Sequence, residues 1–275
     1  MPDTERPTAK PFKPSAAHAR KVAAELARLY PDARCALDYR NLFELVVATI
    51  LSAQCTDKRV NMVTPGLFQR YPDAFALAAA RPEELEEIIH STGFYKAKAK
   101  NLIAMAQGLV QHNSGQVPET MEALTKLAGV GRKTANVVLG VGLGVTAGIV
   151  VDTHVTRLSQ RLGLTRQTAA VPIERDLVRT IPKSDWVLIS LRMIDHGRAI
   201  CKAGRPLCSR CELAEICPKI GVAPPASKTL TKKTAATNPL AKKRSTVAKS
   251  ARNATIAPST DKPPRARRTR PTPGN

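Results

Sequence analysis

The stretch LAGVGRKTANVV, residues 127–138, joins a Gly-x-Gly turn to a helix start that carries two cations, Arg132 and Lys133. Cations are unfavourable in a first turn, because the helix macrodipole presents its positive end there and prefers acidic side chains. A helix that only packs in a core has no use for them. Leu124 and Leu127 precede the turn and Ala135, Val137 and Val138 follow it, so the stretch reads as two helices joined by a tight hairpin. Gly129 and Gly131 lack Cβ, which allows left-handed angles and lets the amides of the Gly129-Val130-Gly131 turn approach another molecule closely. Together with the helix N-terminus at Arg132, those amides make an anion site that suits a DNA phosphate.

The composition points the same way. The 275 residues hold 43 Lys and Arg against 22 Asp and Glu, a net +21, and the pI is near 10.2. Such a balance favours an anionic polymer as partner over a small acidic substrate. Residues 222–275 carry thirteen of the cations, from Lys228 to Arg270, and one acid, Asp261. With almost no large apolar residues, this tail cannot offset the entropy of ordering and is expected to be a disordered, phosphate-attracting arm. A merely solubilising tail has the same composition. The N-terminal segment 1–16 is polar and Pro-rich with no apolar signal region, and reads as a second disordered arm. The longest apolar run, VVLGVGLGVTAGIVV at 137–151, contains four glycines and is too short to span a bilayer. A soluble, cytoplasmic protein without membrane association is expected.

From Ala17 to Pro218 the chain shows helical spacing, as in HARKVAAELARLY and FELVVATILSAQ, and no sustained alternation of period two. The core is therefore predicted to be all-α, with about ten short helices. Breakers stand at helix-length intervals: Pro65-Gly66, Pro72, Pro82, Gly93, Gly115 with Pro118, Gly129, Gly163 and Pro182. Thr56 or Asp57, Arg81-Pro82 and Ser184-Asp185 mark helix starts.

Four of the six cysteines crowd into CKAGRPLCSRCELAEIC as Cys201, Cys208, Cys211 and Cys217, spaced x6, x2 and x5. Without a secretory signal such clustering indicates metal ligation. Four thiolates suit a soft metal centre, and by ligand type alone zinc and an iron–sulfur cluster both fit.

GVGRKTAN, followed 19 residues after Lys133 by Asp152 in VDTH, closely resembles the helix-hairpin-helix element of the endonuclease III family of DNA glycosylases. The resemblance extends through Ile50 to Gln54 with Thr56-Asp57, through Gly93-Phe94-Tyr95, and to the cysteine cluster, about residues 17–221 in all. It implies that Cys201, Cys208, Cys211 and Cys217 hold a [4Fe-4S] cluster, and that Lys133 is a nucleophile. The chemistry of that role is independently coherent. Breaking an N-glycosidic bond develops positive charge on the sugar, and a neutral amine at C1′ captures it as a Schiff base. The imine acidifies the C2′ proton, and β-elimination then breaks the strand. The helix end, Arg132 and an expected partial burial all disfavour the ammonium form. Two surface cations binding phosphate would also account for Arg132 and Lys133.

Asp152 follows the apolar GIVV and opens the helix VTRLSQRL, so it reads first as an N-cap. The resemblance adds a place beside Lys133, where the carboxylate relays the amine proton and stabilises the oxocarbenium-like sugar. His154 is assigned to DNA contact, with a structural histidine as the equal alternative. Lys202 and Arg205, in the loop between the first two cysteines, are expected to grip the phosphate backbone. Chemistry at C1′ also requires the nucleotide to leave the stack. By resemblance Gln54 fills the vacated space, and Phe94 stands where the family commonly has an aliphatic wedge; a buried amide and a core phenylalanine are the plain alternatives. Ala128, where relatives often have Pro, is a second departure.

The resemblance implies two all-α lobes, one from about 36 to 146 and a second formed by 17–35 joined to 147–221, with the hairpin and Asp152 facing a cleft between them. The implied activity is that of a monomeric bifunctional DNA glycosylase and AP lyase acting on duplex DNA with oxidised pyrimidines or abasic sites. An adenine glycosylase of the same superfamily is the first rival, opposed by Lys133. A noncatalytic helix-hairpin-helix DNA-binding protein is the second, and it leaves the pairing of Lys133 with Asp152 without a purpose.

Overall fold

The computed structural model describes residues 12–223; the expectation for the basic tail falls almost wholly outside the described residues, as does that for residues 1–11. Eleven α-helices are present among the described residues, and no strand. They are α1 (Ala16–Leu29), α2 (Leu42–Leu51), α3 (Asp57–Arg70), α4 (Ala74–Ala78), α5 (Pro82–Ile89), α6 (Tyr95–Asn113), α7 (Met121–Leu124), α8 (Arg132–Val137), α9 (Thr153–Arg161), α10 (Ala170–Thr180) and α11 (Trp186–Ala199). No described helix is long and apolar enough to cross a membrane.

Two apolar cores explain the arrangement. The first runs from Leu37 to Leu139 and is built around α2, in which every residue from Phe43 to Leu51 is buried. A helix apolar on all sides belongs inside a ring of others, and α3, α6 and α8 present Leu67, Leu102 and Ala135 to this core. The second core joins Ala19, Val22, Ala23 and Leu26 of α1 to a block running from Ile149 to Leu213. The i, i+3, i+4, i+7 spacing on α1 gives that helix one apolar stripe. Each fully buried leucine contributes about 2 kcal/mol of transfer free energy to its core. The chain therefore leaves the second core after α1, builds the first, and returns through the run 137–151.

That run is not a simple helix. Residues Val138–Gly142 form a π-helical turn, and Gly148 lies so close to Glu174 that a Cβ there would overlap its carboxylate. Most of the breakers close or open elements as expected: Pro82 occupies the first turn of α5, and Gly93, Gly115 and Gly163 all take positive φ just beyond a helical segment. Pro65-Gly66 does not. Helix α3 continues through Pro65 to Arg70, because Val60, Thr64, Leu67 and Phe68 bury a common face whose packing offsets the lost hydrogen bond.

Candidate functional site

The hairpin sits between α7 and α8. Gly129 has φ +74° and a Cβ there would lie 3.0 Å from Asn101, so this position needs glycine twice over. Gly131 differs from expectation: it is extended (φ −87°, ψ 175°), caps α8, and faces open space. Val130 is not an exposed contact. Its side chain is 4% exposed in the first core, and its N–H donates to the Leu127 carbonyl at 3.1 Å, so it pins the turn from inside.

The two hairpin cations have separate fates. Arg132 Nε and Nη2 donate to the two carboxylate oxygens of Glu174 at 2.9 and 3.1 Å. Glu174, on α10, is buried and also accepts from Asn136 Nδ2 at 3.2 Å. The guanidinium expected to meet phosphate is thus engaged within the protein, tying the hairpin helix to the second core, and the paired carboxylate raises its pKa above the ordinary arginine value. Lys133 is exposed, contrary to the expected partial burial. It borders a cleft of about 260 Å³ shared with Gln54, Asp57, Asn136, Asp152 and Ser190. A side chain at the second position of a helix that begins at a cleft mouth has nothing above it to bury it.

Asp152 enters the cleft from the second core. Its Oδ1 accepts from the Val155 N–H at 2.7 Å, so it is the N-cap of α9 and a wall of the cleft at once. Across the same opening Arg198 of α11 pairs with Asp57 of α3 at 2.6 Å, a second link between the two halves. His154 is turned toward the scaffold. Its Nδ1 lies 3.2 Å from Arg157 Nη2, and burial lowers its pKa below the ordinary histidine range.

Gln54 and Phe94, like Ser114 and Lys219, adopt an uncommon backbone conformation. Both have left-handed φ, 53° and 50°, although neither is glycine. Such conformations cost of order 1–3 kcal/mol each and persist only where surrounding structure enforces them. Gln54 is exposed, and Phe94 is a bare aromatic with 65% of its surface in water. Neither is a core residue.

The four cysteines Cys201, Cys208, Cys211 and Cys217 line one small cavity together with His196 and Arg161. Among the described residues no three His, Cys, Asp or Glu side chains close on a single-ion position. Four thiols around one cavity are a donor set that suits a soft metal centre. Burial pushes the Cys211 and Cys217 thiols up, and the neighbouring thiols add to the effect. A bound cationic centre would relieve both. Arg161 Nη1 donates to Cys201 Sγ at 3.5 Å, and His196, bonded through Nδ1 to the Tyr30 hydroxyl at 2.9 Å, brings Nε2 to 3.6 Å from Cys211 Sγ.

The loop between the first two cysteines exposes Lys202 and Arg205. Its carbonyls are held by two arginines of α9: Arg157 donates to Cys201 O at 3.1 Å, and Arg161 to Lys202 O and Ala203 O at 2.7 and 2.8 Å. These two residues, with Glu174 and Asn136, were not singled out by sequence. A signal existed for the arginines, four residues apart on one face of VTRLSQRL, but none distinguishes Glu174 from Asp176, the other acid of α10. A separate hollow of about 810 Å³ lies beside Arg157, Arg161 and Phe12, away from Lys133, and its arginines are committed to backbone carbonyls.

Residues 47–183 match the HhH-GPD superfamily base excision DNA repair protein family. The chain is 56% identical over 200 residues to endonuclease III of Synechocystis sp., covering 73% of this chain and 91% of the relative. It is 46% identical to endonuclease III of Bacillus subtilis, covering 70% and 88%. Among solved structures, a trapped endonuclease III–DNA covalent intermediate in an estranged-adenine complex superimposes with a TM-score of 0.71 at 44% identity, covering 74% of this chain and 96% of that one. A hairpin turned on a left-handed glycine, a lysine and an aspartate lining one cleft, and four thiols around one cavity accompany this likeness, and the chain belongs to the endonuclease III family of the HhH-GPD superfamily.

Proposed function

We propose that this protein is a bifunctional DNA glycosylase and AP lyase that removes oxidised pyrimidines from duplex DNA and cleaves abasic sites by β-elimination. The observation that carries the reading is the cleft that Lys133 and Asp152 share from opposite halves of the molecule. An amine without a hydrogen-bond or ion-pair partner among the described residues is available for attack at C1′, and a carboxylate fixed by its cap supports the developing positive charge.

In this reading Lys133 attacks C1′ as the base departs, and the base leaves with the electron pair of the glycosidic bond. Loss of an amine proton leaves an aminal, and opening of the sugar ring, in which the C1′–O4′ bond breaks and O4′ takes a proton, gives the iminium; its C2′ proton is then removed while the 3′ C–O bond breaks and the 3′ phosphate leaves with the bonding pair. Asp152 is the group that receives or relays protons at the amine. DNA laid over the opening excludes water from an amine that the free protein leaves exposed. Gln54 and Phe94 fill the gap left by the extruded nucleotide. The amides of Gly129 and Gly131, with Lys202 and Arg205, hold phosphates, whereas Arg132 acts chiefly through Glu174. Cys201, Cys208, Cys211 and Cys217 would hold a [4Fe-4S] cluster, whose contribution is to fix the loop that presents Lys202 and Arg205.

Borohydride reduction on an abasic-site duplex tests the proposal. A covalent protein–DNA adduct is expected, and its loss in Lys133→Ala. A chain that excises base and yields no adduct would be a hydrolytic glycosylase instead. Protein purified without added metal is expected to be brown with roughly four irons per chain; a colourless protein with one zinc contradicts the cluster.

A further inference from the structure

The run YKAKAKNL at 95–102 presents three lysines at alternate positions, and only Lys98 is buried, with 5% of its surface exposed. Its Nζ donates to the Leu51 carbonyl at 2.8 Å and to the Thr92 carbonyl at 2.9 Å. These acceptors are far apart in sequence and alike in position. Leu51 ends α2, three residues before Gln54; Thr92 ends a 3₁₀ turn, two residues before Phe94. Each segment is braced the same way by a hydroxyl, Ser52 Oγ donating to Thr49 O and Thr92 Oγ1 to Ile89 O, both at 2.8 Å. The Lys98 N–H also donates to the Phe94 carbonyl at 3.0 Å.

A buried ammonium is costly unless its hydrogen bonds are made, so the site is kept for what it holds together. Among the described residues the hydrogen-bond acceptors of the ammonium are the two carbonyls, and no carboxylate is bonded to it. What it joins are two segments that each carry a left-handed, exposed non-glycine residue, Gln54 and Phe94. We infer that Lys98 is a positioning residue that clamps the Gln54 and Phe94 loops to one another, so that both enter the duplex at a fixed separation. The inference rests on the proposed role of Gln54 and Phe94 as gap fillers. Burial draws the Lys98 ammonium below the ordinary lysine range, with the nearby Cys55 thiol acting weakly in the opposite direction.

The test uses full-length, iron-loaded protein and two substrates, a duplex with one oxidised pyrimidine and a single strand with one abasic site. The second has no base to extrude and no facing strand to support. In Lys98→Met, single-turnover excision from the duplex is expected to fall about 10- to 100-fold, the scale of a small misplacement of positioning groups. Cleavage of the single strand is expected to stay within about two-fold, and hydrogen exchange at residues 52–55 and 92–95 to accelerate together. Unchanged duplex excision, or equal loss on both substrates, overturns the inference. Gln54→Ala and Phe94→Ala are measured alongside. If they slow duplex excision while Lys98→Met does not, the clamp alone fails; if neither slows it, the gap-filling role fails and the clamp with it. Should Lys98→Met not accumulate as folded protein, Lys98→Arg replaces it. Its longer head must push the two carbonyls apart, so the ratio of duplex to single-strand activity is again expected to fall, and an unchanged ratio overturns the clamp.

Discussion

Lys98 and Lys133 belong to the same half of the molecule and have opposite surroundings. Lys98 is sealed and its ammonium is held by two carbonyls; Lys133 stands exposed at a cleft mouth with no partner among the described residues. Fixed hydrogen bonds make a cation into a structural joint, and their absence leaves an amine available for chemistry. Arg132 shows a third outcome, a cation beside the cleft whose charge is answered by a buried acid. Position in sequence separates none of these roles, since Arg132 and Lys133 are adjacent.

The comparison breaks most visibly at Lys133. Lys133→Gln is expected to reduce strand cleavage and borohydride trapping by at least about 1,000-fold, because the covalent route needs the amine. Duplex affinity should change by no more than a few-fold, since phosphate contacts elsewhere dominate it. A filter-binding titration beside a gel assay reads both. If Lys98→Met proved the more damaging of the two on single-stranded abasic DNA, the roles assigned to the two lysines would be reversed.

Asp152 comes next. Asp152→Asn is expected to slow base excision about 100- to 1,000-fold while melting temperature and circular dichroism stay close to the parent's. An amide oxygen can still accept from the Val155 N–H, but it carries no negative charge. Near-normal turnover would leave Asp152 with its cap and no catalytic part.

Glu174 tests whether Arg132 belongs to the scaffold. Glu174→Ala removes the partner of Arg132 and Asn136 together, and denaturant unfolding should show a loss of about 1–3 kcal/mol, at the lower side of buried-pair values because the Arg132 side chain is half exposed. An unchanged midpoint would return Arg132 to the surface cations. The smallest effect is expected for Lys202→Ala with Arg205→Ala. If both residues meet phosphate, the slope of log affinity against log salt becomes shallower by up to about 2, with damage preference unchanged; an identical slope would remove the loop from the DNA interface.

The all-α class and the hairpin were legible because helical spacing and Gly129 leave their mark in a single sequence. That Lys133 and Asp152 line one cleft was anticipated through the resemblance of their motif spacing, and that the four thiols share a cavity through their clustering. The fate of Arg132, the interior placement of Val130 and the buried Lys98 were not, because each depends on a partner remote in the chain or on which helix face turns inward: Glu174 is 42 residues from Arg132, and Leu51 is 47 from Lys98. The run YKAKAK reads equally well as a solvated face. Pro65 misled for a related reason, since tertiary burial of α3 overrides a local breaker. The left-handed backbone at Gln54 and Phe94 has no sequence signature at all, as glycine or asparagine would have been the expected residue.

The most direct test of the account is to map the reduced adduct. Protein trapped on an abasic-site duplex with borohydride is digested with protease and nuclease, and the peptide bearing the deoxyribose remnant is sequenced by mass spectrometry. The account predicts modification at Lys133 alone, within the hairpin sequence GVGRKTANVV, with Lys98 unmodified. An adduct on Lys98 or on any lysine outside the cleft, or stoichiometric strand cleavage with no modified lysine, would contradict it.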